Sequence, residues 1–322
     1  MSNPAKPRIL TGLQPSGTLH IGNYFAALAP QVALSRTDAD VFLMVADYHA
    51  LTSVREGALM RTYIFDLVRD YLAAGIDPER VTLFRQSDNQ DHMELAWVFQ
   101  CLVSVKFLEL AHAYKDKVAK GLEATAGLFN YPMLMAADIV LYDVDLVPVG
   151  EDQRQHVEYA REAVSKFNLA YGQILKEPKE VIEKSVGVVP GTDGKKMSKS
   201  YKNTIPAFGT REEIEKAVLS IVTDSSGDRP EHVFAIHKVL YEQTGRDLSA
   251  LDALYDEHKG KYKALKDALT ADLDAFITPM REKRAGITDT DIKTILASGA
   301  EKARTVSNQT LERVRNAIGI SL

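Results

Sequence analysis

Short apolar runs alternate with longer helical patterns in the first half of the chain. The run 41–46 is continuously apolar, as expected of a strand buried on both faces of a parallel sheet. Shorter runs predict further strands at 9–13, 81–84 and 144–149. Apolar residues at helical spacing predict helices at 23–34, 56–74, 91–113, 132–142 and 151–167. Strands that alternate with helices predict an α/β fold with a parallel, helix-covered sheet.

The pattern changes near residue 205. From there to residue 322 we find helical patterns and turns, but no run that is typical of a strand. Thr210 and Glu213 have the spacing of a capping box, and the apolar residues after them share one helix face. We therefore predict two domains, an α/β domain at 1–205 and an all-helical domain at 206–322.

Composition excludes several classes of protein. Lys and Arg number 39 and Asp and Glu 44, so the net charge is −5 and any nucleic-acid contact must use a local basic surface. The segment 281–315 carries eight basic and five acidic residues, which fits an RNA-facing surface or ordinary solvated helix faces. Cys101 is the only cysteine, which excludes multi-cysteine metal sites and favours a reducing, cytoplasmic compartment. No apolar run reaches about eighteen residues, so we expect no membrane span.

A glycine-containing turn at 12–23 follows the first predicted strand and opens a helix. Such a turn can bring backbone N–H groups and a helix N-terminus to an anion. His20 and Asn23 are three residues apart, so both can point at one phosphate, and Gly22 would let a flat base approach closely. The alternative is an ordinary turn with a stray histidine.

A lysine-rich segment at 194–200 (GKKMSKS) is the second candidate. Lys196 and Lys199 are three residues apart with a hydroxyl residue between them, and this arrangement suits a triphosphate whose charge must be neutralised as it leaves. A solvated loop or a weak nucleic-acid patch would look the same. We call this segment the lysine loop.

Tyr131, Met135 and Asp138 share one face of an otherwise apolar predicted helix. A buried carboxylate requires a partner, which is either a ligand N–H group or a donor within the protein. The segment 149–153 follows a predicted strand, where open α/β sheets bind ligands, although acids at a helix start also favour the helix dipole.

The order of these segments resembles the class I aminoacyl-tRNA synthetases. The sequence HIGN at 20–23 resembles their HIGH signature, and KMSKS at 196–200 matches their second signature residue for residue. Within the class the chain is most similar to the tryptophan-specific members, on the segments 14–24, 47–52, 131–142, 147–156 and 221–225. The tyrosine-specific members are the nearest alternative, but they carry glutamine where Met135 stands, and a polarizable thioether suits the larger indole ring.

The resemblance implies a Rossmann-like nucleotide-binding domain followed by a helical domain that binds the tRNA anticodon. It implies that tryptophan attacks the α-phosphate of ATP, that pyrophosphate leaves, and that the acyl group passes to tRNA(Trp). Mg²⁺ would accompany ATP as part of the substrate, with no protein-bound metal. The implied partners are L-tryptophan, tRNA(Trp) and a second copy of the chain, contacted through 101–113, with no role for membrane or DNA.

The resemblance also implies roles for individual residues. The implied catalytic residues are His20, Lys117, Lys196 and Lys199. The implied ATP-binding residues are Gln14, Ser16, Gly17, His20, Gly22, Asn23, Gly150, Asp152, Lys196, Met197, Ser198 and Lys199. The implied tryptophan-binding residues are Gln14, His49, Tyr131, Met135, Asp138 and Gln153.

Within that set, Asp138 would accept the indole N–H group, and Tyr131 and Gln153 would hold the α-amino group. Phenylalanine would then leave Asp138 buried and unpaired, a mismatch that can cost on the order of 10⁴ in kcat/KM. Three alternatives stay open from the sequence: tyrosine activation, another nucleotidyltransferase, and a non-catalytic paralogue that acts as a binding module.

Overall fold

The computed structural model describes residues 6–119, 121, 123–150, 154–182, 189–223 and 229–321. Five parallel strands form one sheet in the order β3-β2-β1-β4-β5. The strands are β1 Arg8–Leu13, β2 Asp40–Val45, β3 Val81–Arg85, β4 Leu146–Val149 and β5 Lys179–Ile182.

Helices follow every strand. They are α1 Ile21–Asn23, α2 Ala29–Ser35, α3 Asp47–Ala50, α4 Gly57–Ala74, α5 Asp91–Gln100, α6 Val105–Leu108, α7 His112–Ala119, α8 Ala126–Leu141, α9 Arg154–Tyr171, α10 Arg211–Leu219, α11 Glu231–Thr244, α12 Leu248–Glu257, α13 Tyr262–Ala285 and α14 Asp289–Ile318. A π-helical segment, Tyr24–Leu28, joins α1 to α2, and 3₁₀ turns occupy Gln86–Asp88 and Lys199–Tyr201.

The predicted α/β fold is confirmed. The apolar run 41–46 forms the inner strand β2, whose residues from Val41 onward are buried. Strand β1 lies close beside it, since a Cβ on Gly12 would be 2.1 Å from the carbonyl oxygen of Met44. The short strand β5 was not predicted, because its four-residue sequence, KEVI, has two charged residues followed by only two apolar ones.

The stretch predicted as helical at 91–113 is confirmed as helical, but it is not continuous. The structure has three helices over this stretch, and Ser104 starts the second by accepting a hydrogen bond from the amide of Phe107. The helix predicted at 132–142 begins earlier, at Ala126. Thr125 caps it there, and Pro132 lies inside it.

The helical part after residue 205 packs onto the sheet layer. One hydrophobic cluster joins Ile21 and Val41 to Val218 and Leu273, and a second joins Phe84 to Leu311. The predicted border at 205 stays a prediction, but the apolar core continues across it. No helix among the described residues is long and apolar enough to cross a membrane.

The last helix, α14, returns to the edge strand β3. A Cβ on Gly299 would lie 1.8 Å from the carbonyl oxygen of Leu83, so only glycine allows this approach. Further along α14, Arg313 pairs with Asp143 and Arg315 pairs with Glu94. Two of the eight basic residues of 281–315, for which an RNA-facing surface and ordinary solvated faces both stayed open, therefore hold the helix in place.

Candidate active site

His20 and Asn23 cap the first turn of α1 by bonding to each other's backbone. The amide of Asn23 donates to His20 Nδ1 over 3.1 Å, and the amide of His20 donates to Asn23 Oδ1 over 3.4 Å. Because Nδ1 accepts, the ring proton of the neutral His20 lies on Nε2. Because Oδ1 accepts, the Nδ2 group of Asn23 remains a donor. Both side chains therefore keep N–H groups that can meet an anion.

Burial keeps the His20 ring uncharged at neutral pH. His20 is 6% exposed, and burial, helped by the nearby charge of Lys199, lowers its pKa to about 4. Gly22 packs beside the same ring, since a Cβ there would lie 3.0 Å from His20 Nδ1 and 3.5 Å from the Cβ of Met197. The missing side chain at Gly22 therefore makes room for histidine in this structure, a reason that the sequence did not suggest.

The lysine loop lies directly against the turn that precedes His20. Lys199 Nζ donates to the carbonyl oxygen of Ser16 over 3.2 Å. Gly17, next in the chain, has a φ of +117°, which favours glycine. The two segments line one cavity of about 490 Å³, with walls formed by Ser16, His20, Asn23 and the residues 196–201. Seven of the predicted ATP-binding residues are thus brought together.

Asn203, three residues after the lysine loop, holds it through hydrogen bonds. It is 2% exposed, and its Nδ2 group donates to Asp193 Oδ1 over 2.6 Å and to the carbonyl oxygen of Lys196 over 3.2 Å. Its Oδ1 atom accepts from the amide of Ser198 over 2.8 Å. Sequence analysis missed this residue, because an asparagine in a polar loop gives no sign of burial.

Asp138 is the centre of a second polar cluster. It lies on α8, is 2% exposed, and accepts hydrogen bonds from three side chains. His49 Nε2 is 2.7 Å from Oδ2, His92 Nδ1 is 2.7 Å from Oδ1, and Gln86 Nε2 donates to both oxygens over 2.8 and 3.0 Å. Burial alone would raise the pKa of Asp138, but the bonds from His49 and His92 outweigh it and hold the pKa below its usual range.

The expectation that a ligand without an N–H group would leave Asp138 unpaired is wrong. A carboxylate offers about four acceptor positions, and three of the protein's own side chains already donate to it. Gln86 shares one N–H direction between both oxygens, so this contact is the one that can give way to a ligand donor.

Gln86 and His92 were both missed by sequence analysis. Gln86 follows the end of β3, so the rule that parallel sheets bind ligands beyond their carboxyl ends could have indicated it. His92 lies on α5, 46 residues before Asp138, and no spacing rule connects the two. Only the packing of α5 on α8 brings them together.

Tyr131 and Met135 lie on α8, about two turns and one turn before Asp138. The Tyr131 hydroxyl is 3.3 Å from His156 Nε2, and its ring centroid is 6.2 Å from that of His49. Burial raises the pKa of Tyr131 to about 12, so the hydroxyl stays protonated. Met135 is half-buried and packs against the second hydrophobic cluster.

Both polar clusters lie at the end of the sheet where the parallel strands have their carboxyl ends. Gln14 follows β1, His49 lies just after β2, Gln86 follows β3 and Gly150 follows β4. Because all these strands are parallel, their carboxyl ends meet at the edge where such sheets bind ligands.

Three predicted site residues cannot be located in this arrangement. Asp152 and Gln153 lie outside the described residues, and so does the side chain of Lys117. Within the part of the chain that is described, no group of three or more His, Cys, Asp or Glu side chains is placed to hold a metal ion.

Comparison with known proteins relates this geometry to a family. Residues 2–290 match the family model of class I tRNA synthetases (W and Y). A tryptophan–tRNA ligase of Fusobacterium nucleatum is 41% identical over 320 residues, which covers 97% of this chain and 98% of that protein. A tryptophanyl-tRNA synthetase of Campylobacter jejuni, solved with ADP and tryptophan, is 40% identical with a TM-score of 0.89 and covers 97% of this chain and 99% of its own. That of Mycoplasma pneumoniae is 29% identical with a TM-score of 0.84, covering 98% of each chain.

Proposed function

We infer that this chain, which belongs to the class I tRNA synthetases for tryptophan and tyrosine, is a tryptophan–tRNA ligase. It activates tryptophan with ATP and transfers the tryptophanyl group to tRNA, releasing pyrophosphate and AMP. The observation that carries this proposal is the cavity shared by the His20 turn and the lysine loop, closed by the contact between Lys199 and Ser16. Cytoplasmic location is part of the proposal.

The activation step needs positioned charge rather than a protein nucleophile. The carboxylate of tryptophan attacks the α-phosphate, so the protein's task is to align two ligands and to stabilise the departing pyrophosphate. His20 Nε2–H and the Nδ2 group of Asn23 are donors for phosphate oxygens. Lys196 and Lys199 supply positive charge at the other wall of the cavity. Mg²⁺ enters with ATP as part of the substrate.

Tryptophan binds beside Asp138 in this proposal. Its indole N–H group replaces the shared contact from Gln86, while His49 and His92 continue to hold the carboxylate. Met135, rather than an amide, contacts the ring, which favours tryptophan over tyrosine.

The tRNA meets a basic groove between α4, the turn Gln86–Asp88 and α14. The groove has a volume of about 840 Å³, and the cations that line it are Arg61, Arg69, Arg85, Lys293 and Arg304. Its acids are Asp88 and Asp289. Arg61 and Lys293 form no ion pair with any residue that the structure describes. Their positive charges therefore contrast with the net negative charge of the chain. Such a surface suits the phosphates of RNA.

The groove can be tested by reversing one charge. Lys293→Glu should raise the KM for tRNA in aminoacylation about fivefold or more at 0.1 M salt, while pyrophosphate exchange stays unchanged. Lys302→Glu, an equal change on a different face of α14, is the matched control. Equal effects of the two variants would place the RNA elsewhere.

A second copy of the chain covers the exposed apolar residues around α5. Met93 is 49% exposed and Trp97 is 66% exposed, just before the predicted contact region 101–113, and Val105, within that region, is 65% exposed. Trp97 is the only tryptophan, so its fluorescence reports on this surface directly. Sedimentation should show a dimer, and Trp97→Glu should shift the protein to a monomer; a wild-type monomer would refute this part of the proposal.

Pyrophosphate exchange separates the candidate functions. Exchange that depends on tryptophan and not on tyrosine supports the proposal. Exchange with tyrosine supports the tyrosine-specific alternative, and exchange with neither supports a binding module. Asp138→Ala should raise the KM for tryptophan more than the KM for ATP, because Asp138 contacts only the amino acid; equal losses would make Asp138 structural.

A further inference from the structure

A buried chain of hydrogen bonds runs from Asp138 to α14. His92 Nε2 is 2.7 Å from the Tyr142 hydroxyl, whose oxygen is 3.1 Å from Asn89 Nδ2. The same Nδ2 group lies 2.9 Å from the hydroxyl oxygen of Ser307, on α14. His92, Tyr142, Asn89 and Ser307 are each no more than 1% exposed.

The direction of every bond in this chain is fixed by its neighbours. The Asn89 Oδ1 atom accepts from the backbone amide of Asp91 over 3.2 Å, so the Nδ2 group must face Tyr142 and Ser307. The Asp138 carboxylate can only accept, so His92 donates to it from Nδ1. The other ring nitrogen, Nε2, then accepts from the Tyr142 hydroxyl, whose oxygen accepts from Asn89.

Ser307 anchors the far end. Its hydroxyl proton faces Asp91 Oδ2 at 2.6 Å and the carbonyl oxygen of Arg304 at 3.2 Å, and both are acceptors only. The Ser307 oxygen is therefore left to accept from Asn89. A phenylalanine at 142 or an alanine at 307 would bury no hydroxyl group and would need no hydrogen-bond partner there. The fully satisfied polar chain through the core therefore indicates a positioning role.

We propose that Ser307, Asn89, Tyr142 and His92 position the Asp138 carboxylate, so that the last helix of the chain takes part in recognising tryptophan. The proposal rests on the proposed function and extends it. Loss of the Tyr142 hydroxyl leaves His92 Nε2 without its donor, so the ring is held only through Nδ1 and can tilt. A tilt weakens the Nδ1–H donor that orients Asp138 toward the indole.

The test compares Tyr142→Phe with Tyr71→Phe in pyrophosphate exchange by the full-length enzyme. Tyr71 is the matched control, since it is also fully buried but lies on α4, outside the hydrogen-bond chain. Loss of one net hydrogen bond predicts that Tyr142→Phe raises the KM for tryptophan about threefold to tenfold, with the KM for ATP unchanged. Ser307→Ala should move the KM for tryptophan in the same direction by a smaller factor.

A substrate analogue separates positioning from general damage. β-(Benzothiophen-3-yl)alanine has sulfur in place of the indole N–H group, so its use does not depend on how Asp138 is oriented. Tyr142→Phe should therefore reduce kcat/KM for tryptophan but not for this analogue. Equal losses of kcat/KM for tryptophan and for the analogue would overturn the proposal. An unchanged KM for tryptophan in folded Tyr142→Phe and folded Ser307→Ala would also overturn it. If the wild type shows no exchange with tryptophan, the proposed function itself fails, which is a different result.

Discussion

The ammonium group of Lys199 donates a hydrogen bond to the carbonyl oxygen of Ser16, a residue 183 positions earlier in the chain. This contact closes the cavity between the two signature segments and holds a positive charge at its wall. It also means that Lys199 already has a partner, which incoming phosphates must replace.

Replacement of Lys199 by alanine should slow tryptophan activation. A charge-assisted hydrogen bond is worth roughly 1.5–3 kcal/mol, so kcat for pyrophosphate exchange should fall about tenfold to a hundredfold while the KM for tryptophan changes little. Lys195→Ala is the control, because Lys195 is exposed in the same loop but does not line the cavity. Equal kinetics for the two variants would remove Lys199 from the proposed mechanism.

Replacement of Asn203 by alanine should loosen the lysine loop without unfolding the protein. The change removes three hydrogen bonds that hold Asp193, Lys196 and Ser198. Tryptic cleavage within the loop should accelerate about tenfold, because local opening becomes easier. Thr204→Ala is the neighbouring control. Unchanged cleavage of Asn203→Ala would show that other contacts hold the loop.

His20 should make stability depend on pH in a defined window. Its pKa in the folded protein is about 4, whereas that of an unperturbed histidine is 6.5. Between these values the unfolded chain binds the extra proton, so the free energy of unfolding falls as the pH falls through the window, by up to about 3 kcal/mol.

Urea unfolding at pH 7 and at pH 5 measures this effect. His20→Asn keeps a capping acceptor but cannot titrate, so it should lose less stability than the wild type on acidification. The same loss in both proteins would mean that His20 is protonated in the fold.

Replacement of Gly299 by alanine should be strongly destabilising. The added Cβ would overlap the backbone oxygen of Leu83, and neither backbone can move aside as a flexible side chain would. We expect the free energy of unfolding to fall by roughly 3 kcal/mol or more. Ser298→Ala, one residue away on an exposed position, should have little effect, and similar Tm values for the two variants would contradict the close approach.

The pattern of apolar and polar residues predicted the strands and helices whose positions depend on nearby residues alone. The buried strand at 41–46 and the alternation of strands and helices are confirmed, because period and apolarity determine them. The breaks between the three helices within 91–119 were not predicted, and the second of these helices begins at a capping serine, which periodicity does not reveal. Seven of the residues that line the cavity belong to the predicted ATP-binding set, and they lie in two contiguous motifs.

Residues that act through tertiary packing were not predictable. Gln86 and His92 reach Asp138 from two different elements, and neither belongs to a motif. Ser307 is further still, 169 positions after Asp138, and contributes only because α14 folds back onto the sheet layer. Long-range contacts of this kind leave no periodic trace in a single sequence.

The return of α14 to β3 also has a consequence for synthesis. Strand β3 is an edge strand, and its backbone stays open to pairing with other chains until Gly299 arrives beside it. About two hundred residues separate the two in translation order, so a nascent chain on the ribosome exposes this edge for most of its elongation. Chaperone dependence during translation should therefore be greatest before the final helix emerges.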